Sequence, residues 1–464
     1  MKHIHLIGIG GTGLSAIARI LLEMGYTVTG SDRAESPFTL DLQSAGVTIS
    51  IGHRPENVAG ADLVVRSSAI PDDNPEVAAA RAAGVPVLKR ADFLGSLMEG
   101  KTSIAVAGTH GKTTTTSMIA WMLTVLRQNP SFIIGGVLAN LGVNAQTGEG
   151  NTFIIEADEY DRMFLGLKPT IEVVTNVEHD HPDCYPTPAD YQAAFMEFVK
   201  RLPADGTLVA CAEDAGARAL SVEAERLGKA VLTYGLQPKT EDKQGIDAYT
   251  SMLTTNDKGG FTFDAEVLGS SATVELQVPG KHNVTNALAA LTVAKLLNLP
   301  LAKAALALGQ FIGTGRRFEV RGEAGGIVIV DDYAHHPTEI RATLAAARTR
   351  YPDRRIWAVW QPHTYSRTQM LFDDFANSFS AADEIIVTEV YAAREPKQDF
   401  SSRQIVDVMP RPAHFIAALS DVSNYLISHL RPGDVLLVLS AGDADQVSTE
   451  VLARLKEISN ANDG

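Results

Sequence analysis

The nine residues Ala107-Gly108-Thr109-His110-Gly111-Lys112-Thr113-Thr114-Thr115 constrain the fold of this chain more than any other stretch. Before them, residues 103–107 are small or apolar and predict a short buried strand; after them, residues 117–123 predict a mostly apolar helix. A strand that enters a helix through a glycine-containing loop turns backbone N–H groups toward one point, the geometry that cradles a phosphate. In such a loop Lys112 reaches the β- and γ-phosphates of ATP and the Thr113 hydroxyl ligates Mg²⁺. The general pattern places its first glycine where this chain has Val106, so the loop is a variant of the nucleotide-phosphate motif.

The flanking sequence extends this unit in both directions. Strand-like runs at residues 3–9, 27–30, 63–67 and 85–88, with a helix at 14–24, predict a parallel sheet with crossovers. From residue 101 a second unit adds strand candidates at 153–157 and 171–176, each ending in polar residues. Residues 237–260 are polar and turn-rich and read as an excursion before paired strands at 261–263 and 273–278, and a helix follows at 283–297. Residues 311–317 read as a linker, beyond which strands at 327–330, 356–360, 385–390 and 435–439 alternate with helical stretches. A chain of 464 residues exceeds what one core supports. The expected architecture is therefore three α/β domains: a Rossmann-like domain over 1–99, a P-loop ATPase-type domain over 100–312 and a second Rossmann-like domain over 313–464.

A formal charge of −15 argues against a nucleic-acid groove, which needs a basic face. Only Cys184 and Cys211 occur, no apolar run approaches the ~20 residues that span a bilayer, and the start enters a strand without a signal-peptide pattern. A cytoplasmic location is expected, with no membrane partner.

Three groups of residues carry candidate chemistry at predicted strand ends, where open α/β sheets hold ligands. At the amino terminus, Gly8-Ile9-Gly10-Gly11-Thr12-Gly13 forms a diphosphate-type glycine turn, with Asp32 about 20 residues on and Ser67 and Ser68 at a later strand end. In the middle, Glu156-Ala157-Asp158-Glu159 and the stretch from Asn176 to His181 deliver carboxylates and imidazoles beside the phosphate loop, a set that suits Mg²⁺ better than zinc because no H-E-x-x-H is present. Asn283 and Asn286 offer side-chain amides to an adenine edge, with helix capping as the plain alternative for Asn283. In the last unit, Arg316-Arg317-Phe318-Glu319 sits at a domain junction, while Asp331-Asp332-Tyr333-Ala334-His335-His336-Pro337 and Gln361-Pro362-His363-Thr364-Tyr365-Ser366-Arg367-Thr368 follow buried strands.

Taken in order, these motifs resemble the Mur ligase family, the ATP-dependent amide-forming enzymes of peptidoglycan precursor synthesis, over nearly the whole chain. The resemblance implies that Gly10, Gly11, Thr12, Gly13, Asp32, Ser67 and Ser68 hold a UDP-sugar. It implies that Gly108, Thr109, His110, Gly111, Lys112, Thr113 and Thr114 hold ATP phosphates, with Asn283 and Asn286 by the adenine. Thr113, Glu156 and His181 are the implied Mg²⁺ set; Arg317 and Asp332 close onto ATP, and His335, His336 and Arg367 receive an amino acid. Lys112, His181, Arg317 and His335 are the implied catalytic groups.

Within the family, the motifs are most similar to those of the members that join L-alanine to UDP-N-acetylmuramate through an acyl phosphate, as a monomer or weak homodimer. A tripeptide-recycling member is the nearest alternative. An NAD-dependent oxidoreductase built on the first glycine turn would leave the phosphate loop and Glu156 without a task, and a non-catalytic nucleotide-sugar binder would not need both a phosphate loop and a metal carboxylate. Three positions depart from the alanine-adding pattern: Thr364 stands where some members have a second arginine, Tyr160 where many have serine, and Phe195 near where sister ligases place a carbamoylated lysine.

Overall fold

The computed structural model describes residues 2–238 and 245–462, which fold as three α/β domains, each built on its own sheet. In the first sheet, His3–Ile7 lies between Thr27–Asp32 and Leu63–Arg66, with Thr48–Ile51 and Val87–Lys89 at the edges, all parallel. Strand order reverses on the two sides of His3–Ile7, so a crevice opens at its carboxyl end, where the Gly8–Gly13 turn enters the helix Thr12–Glu23.

The second sheet has ten strands. Thr102–Ala107 lies at its centre, between parallel Ile171–Val174 and Thr152–Glu156, so three strand ends open on the same side. The helix after the phosphate loop runs over Lys112–Val125, a full turn earlier than its apolar pattern suggests. Its first turn is threonine-rich and weakly helix-forming by itself, but Thr113, Thr115 and Thr116 are buried against the fold, and packing overrides propensity.

The polar excursion is not structureless. Ala248–Thr255 is a strand that joins Ala230–Tyr234 to an antiparallel meander with Phe261–Val267 and Ser270–Leu276. It buries Ala248 and Thr250 and leaves Met252 and its neighbours largely exposed, so the hydrophobic alternation is too weak to reveal it. Residues 239–244 of that stretch lie outside the described residues. The residues read as a linker carry short bridges from Thr314 to Leu138 and Arg317, stitching the second domain to the start of the third.

In the third sheet, Ile327–Asp332, Val435–Ser440, Ile356–Gln361, Glu384–Val387 and His414–Phe415 are parallel, and Glu319–Ala324 adds an antiparallel edge. Apolar cores cover both of its faces, one containing Trp360 and Phe375, the other Trp357 and Leu436. The first and second sheets instead share one continuous core, from Leu6 and Ile17 through Phe93 to Phe132 and Phe164. The backbones meet closely there: a Cβ on Gly95 would lie 2.3 Å from the Gly166 carbonyl oxygen. No helix among the described residues is long and apolar enough to cross a membrane.

Candidate active site

The phosphate loop occupies Gly108 to Gly111, between a strand ending at Ala107 and a helix beginning at Lys112. Glycine is required at its start: Gly108 has φ 137°, and a Cβ there would lie 2.0 Å from the Thr175 hydroxyl. Lys112 Nζ is folded against its own loop, 2.5 Å from the Gly108 carbonyl and 2.9 Å from Glu159 Oε2. Burial would discharge that ammonium, but the carboxylates of Glu159, Asp158 and Glu156 outweigh it and raise its pKa. Lys112 is therefore a fixed positive charge at the helix amino terminus.

Beside it, the Thr113 hydroxyl donates to Glu156 Oε1 at 3.0 Å, and Gly135 N–H donates to Oε2 at 2.8 Å. Burial pushes the Glu156 carboxyl up. His181, held at φ 54°, packs its ring at a tilt against Tyr160 and places Nε2 3.6 Å from Glu159. Its Nδ1 is buried without a hydrogen-bond partner among the described residues.

The third domain closes over this surface. Asp332 ties its entry: Oδ2 accepts from Phe318 N–H at 2.7 Å and Oδ1 from Ala334 N–H at 2.8 Å. Arg317 lies over the Tyr333 ring and 3.7 Å from Glu339. The His335 ring places Nδ1 2.8 Å from the Tyr333 carbonyl and 3.3 Å from Glu339, and burial lowers its pKa to about 4. A carbonyl only accepts, so Nδ1 carries the proton and Nε2 keeps a free lone pair. Its neighbour His336 is 2% exposed and accepts from Thr338 N–H, capping the helix Pro337–Arg350.

His110 of the phosphate loop reaches both sides of the closure, 2.8 Å from Glu178 Oε2 and 3.2 Å from Glu339 Oε1. Burial opposes its charge, but the two carboxylates lift its pKa to about 9. Glu178 falls to about 2, because His110, His336 and Thr338 overcome its own burial. Arg367 grips Asp180 of the second domain, and Thr364 is 3% exposed, with N–H donating to the Tyr391 carbonyl at 2.9 Å.

Residues 3–102 match the catalytic domain of the Mur ligase family, residues 106–294 the Mur ligase middle domain, and residues 316–442 the Mur ligase glutamate ligase domain. This chain belongs to the Mur ligase family. It is 44% identical to the UDP-N-acetylmuramate–L-alanine ligase of Salinibacter ruber, over 100% of this chain and 96% of that protein. The crystal structure of UDP-N-acetylmuramate–alanine ligase from Thermotoga maritima superposes with a TM-score of 0.81 at 30% identity, covering 99% of this chain and 100% of that one. A murein peptide ligase from Psychrobacter arcticus gives 0.71 at 27% identity, covering 98% and 99%.

In this Mur ligase a cavity of about 1320 Å³ runs between the three domains. Thr12 and Gly13 line one end; Thr109, Lys112, Thr113, Glu156 and His181 line the middle; Arg317, His335 and Arg367 line the third-domain wall. Other residues singled out from sequence lie behind that surface. Asp32 accepts from Gly10 N–H at 2.8 Å and so shapes the glycine turn. Gly11 starts the helix as its N-cap, Ser67 packs against Gly8, and Ser68 is exposed outside the cavity. Asn283 donates to the Pro279 carbonyl one turn inside its helix, whose N-cap is Gly280; Asn286 touches Gly111 and so supports the phosphate loop from behind.

Sequence reasoning missed several of the lining groups. Arg90 lies against Gly13 and 3.8 Å from Asp158, a cation where the glycine turn faces the phosphate loop. Glu178, Asp180 and Glu339 are the carboxylates that organise His110, Arg367 and His335. Glu178 and Asp180 stood inside a recognised motif, whereas Arg90 and Arg394 had no local pattern to mark them.

Proposed function

We propose that this Mur ligase joins L-alanine to the lactyl carboxylate of UDP-N-acetylmuramate in an ATP-driven reaction of peptidoglycan precursor synthesis. One observation carries this reading: a single cavity joins the glycine turn, the phosphate loop and the third-domain His335 and Arg367. Full-length similarity to proteins named for the same ligation supports it. The proposed division of labour follows the boundaries 1–99, 100–312 and 313–464, with sugar nucleotide, Mg-ATP and amino acid in that order.

In the first step a lactyl carboxylate oxygen attacks the γ-phosphorus of ATP, the bond to the β,γ-bridging oxygen breaks, and ADP leaves. Lys112 exchanges the Gly108 carbonyl and Glu159 for phosphate oxygens, and Arg317 approaches from the opposite wall; both stabilise charge that grows in the transition state. In the second step the alanine amine attacks the acyl-phosphate carbonyl and inorganic phosphate departs. The amine must reach the carbonyl as the free base, and His335, uncharged at pH 7 with its proton on Nδ1, offers Nε2 on the third-domain wall to accept a hydrogen bond from it. Closure of the third domain excludes water, which would otherwise hydrolyse the acyl phosphate.

The residues present fit Mg²⁺. Thr113 and Glu156 supply hard oxygen donors beside the phosphate loop, and the buried Nδ1 of His181 has no partner among the described residues. When bound, the ion neutralises phosphate charge. We place the protein in the cytoplasm, with its nucleotide substrates, as a monomer or weak homodimer.

The test is phosphate release with ATP and UDP-N-acetylmuramate, comparing L-alanine, L-serine, glycine and the L-alanyl-γ-D-glutamyl-meso-diaminopimelate tripeptide. Release with L-alanine is expected. Release with the tripeptide alone would overturn the choice of acceptor, and a change in NADH absorbance would point to redox chemistry instead.

A further inference from the structure

Two guanidinium groups of the third domain face the acidic end of the cavity, and they differ in how many donors remain. Arg367 commits Nε and Nη2 to the two oxygens of Asp180, at 2.8 and 3.1 Å, and Nη1 lies 3.1 Å from His363 Nδ1. It is 2% exposed. Three of its five N–H groups are engaged and the side chain is buried, so its two remaining donors have little access to a ligand.

Arg394 is built differently. Its Nε and Nη2 both donate to a single oxygen, Asp183 Oδ2, at 3.2 and 2.9 Å. The Nη1 group and the second Nη2 hydrogen are left as a complete edge with no protein partner among the described residues. The side chain is 47% exposed and lines the same cavity as His335, His363 and Arg367. An arginine edge with two parallel N–H groups matches a carboxylate in geometry as well as charge.

The guanidinium is also held in place. It lies 4.2 Å from the centre of the Tyr160 ring, and the Tyr160 hydroxyl donates to the same Asp183 oxygen at 3.1 Å. Its backbone is tied to the 362–366 segment. Tyr391 N–H donates to the Pro362 carbonyl at 2.8 Å, and Thr364 N–H donates back to the Tyr391 carbonyl. Glu395 accepts from Tyr365 N–H at 2.6 Å and Ser366 N–H at 3.1 Å, fixing the residue next to Arg394 at the start of the helix Tyr365–Met370. Thr364 contributes no cation, and Arg394 brings one to the same end of the cavity from the adjoining turn.

We infer that Arg394, oriented by Asp183 and Tyr160, receives the carboxylate of the incoming amino acid, while Arg367 shapes that pocket through Asp180. This rests on the amide-forming reading above and adds the group that recognises the acceptor. His335 stands on the same wall as the neutral group for the amine, so the two ends of a zwitterion meet chemically different partners.

The test compares L-alanine with L-alaninamide and hydroxylamine, acceptors that lack the carboxylate, in wild type, Arg394→Met and Arg394→Lys. Loss of a charge-assisted pair should raise KM for L-alanine on the order of 10–100-fold in Arg394→Met. The penalty should be confined to the acceptor that carries a carboxylate, with KM for ATP unchanged, and Arg394→Lys should recover part of it. An unchanged KM for L-alanine in Arg394→Met overturns the inference. So does an equal loss with all three acceptors, which would make Arg394 a structural tie between Asp183 and Tyr160. Wild-type protein inert toward L-alanine would overturn the functional reading itself, and this inference with it.

Discussion

Arg367 and Asp180 pair across the boundary between the second and third domains through two parallel contacts, with both side chains no more than 4% exposed. Burial opposes the Asp180 charge, yet Arg367 holds its carboxyl well below the usual range. The pair is a clasp that exists only when the third domain lies over the phosphate loop.

Removing one half of such a buried pair strands the other, a loss of about 3–5 kcal/mol, whereas apolar replacement of both is far milder. Asp180→Asn is therefore expected to lower the melting temperature and cut turnover at least tenfold. The double variant Asp180→Leu with Arg367→Met should regain thermal stability without regaining turnover. Thermal melts alongside phosphate release separate these effects, and full activity in the double variant would remove the clasp from the catalytic cycle.

Lys112→Ala should abolish ligation, by roughly 10³-fold or more if the ammonium stabilises the transferring phosphoryl group as oxyanion-type donors do. It should also destabilise the protein, because Glu159 is 1% exposed and loses its counter-charge. Adding Glu159→Gln should repair the melt but not the rate. Wild-type turnover in Lys112→Ala would end the phosphate-loop assignment.

The His110 bridge gives a pH signature with a definite sign. Its pKa is about 9 in the folded protein against an ordinary ~6.5, so its contribution to stability is complete below ~6.5 and is lost as pH rises through about 9. Glu178, at about 2, acts in the opposite sense: its contribution holds above ~4.3 and fades as pH falls toward 2. The melting-temperature gap between wild type and His110→Asn should be widest between roughly pH 4.5 and 6.5 and shrink by pH 9.5. A gap independent of pH would show that the ring acts by packing alone.

Glu156→Gln keeps the hydrogen bond from Thr113 in reach but removes a carboxylate from the proposed ion site. The Mg²⁺ concentration for half-maximal activity should rise about 10–100-fold, while the melting temperature holds or improves because burial already disfavours this charge. Titrating Mg²⁺ at saturating ATP measures this. An unchanged half-point would place the ion elsewhere.

The parts of the site legible in sequence are those made by consecutive residues. Gly108 to Thr113 reads as a phosphate loop because strand, turn and helix are local, and Glu156 and His181 follow because they come at the end of, or shortly after, the two strands that flank that strand. Contacts made across domains leave no such trace. Arg367 gave no sign that its fork is spent on Asp180, 187 positions earlier. Asp32 resembled a ligand reader, but its distance from Gly10 is set by the sheet, and it serves the turn. His335 and His336 are adjacent, and only the start of a helix separates a cavity-lining ring from a cap. Ala248–Thr255 escaped because, although paired on both sides, it buries little beyond Ala248 and Thr250 and so carries little alternation.

The shared core beneath the first two sheets is drawn tight where Gly95 meets Gly166. The glycine turn and the phosphate loop are thereby held on one continuous core, while the third-domain wall of the cavity rests on cores of its own. In the proposed division of labour, the berths for sugar nucleotide and ATP lie on that one joined body, whereas the amino-acid berth draws its wall from the third domain.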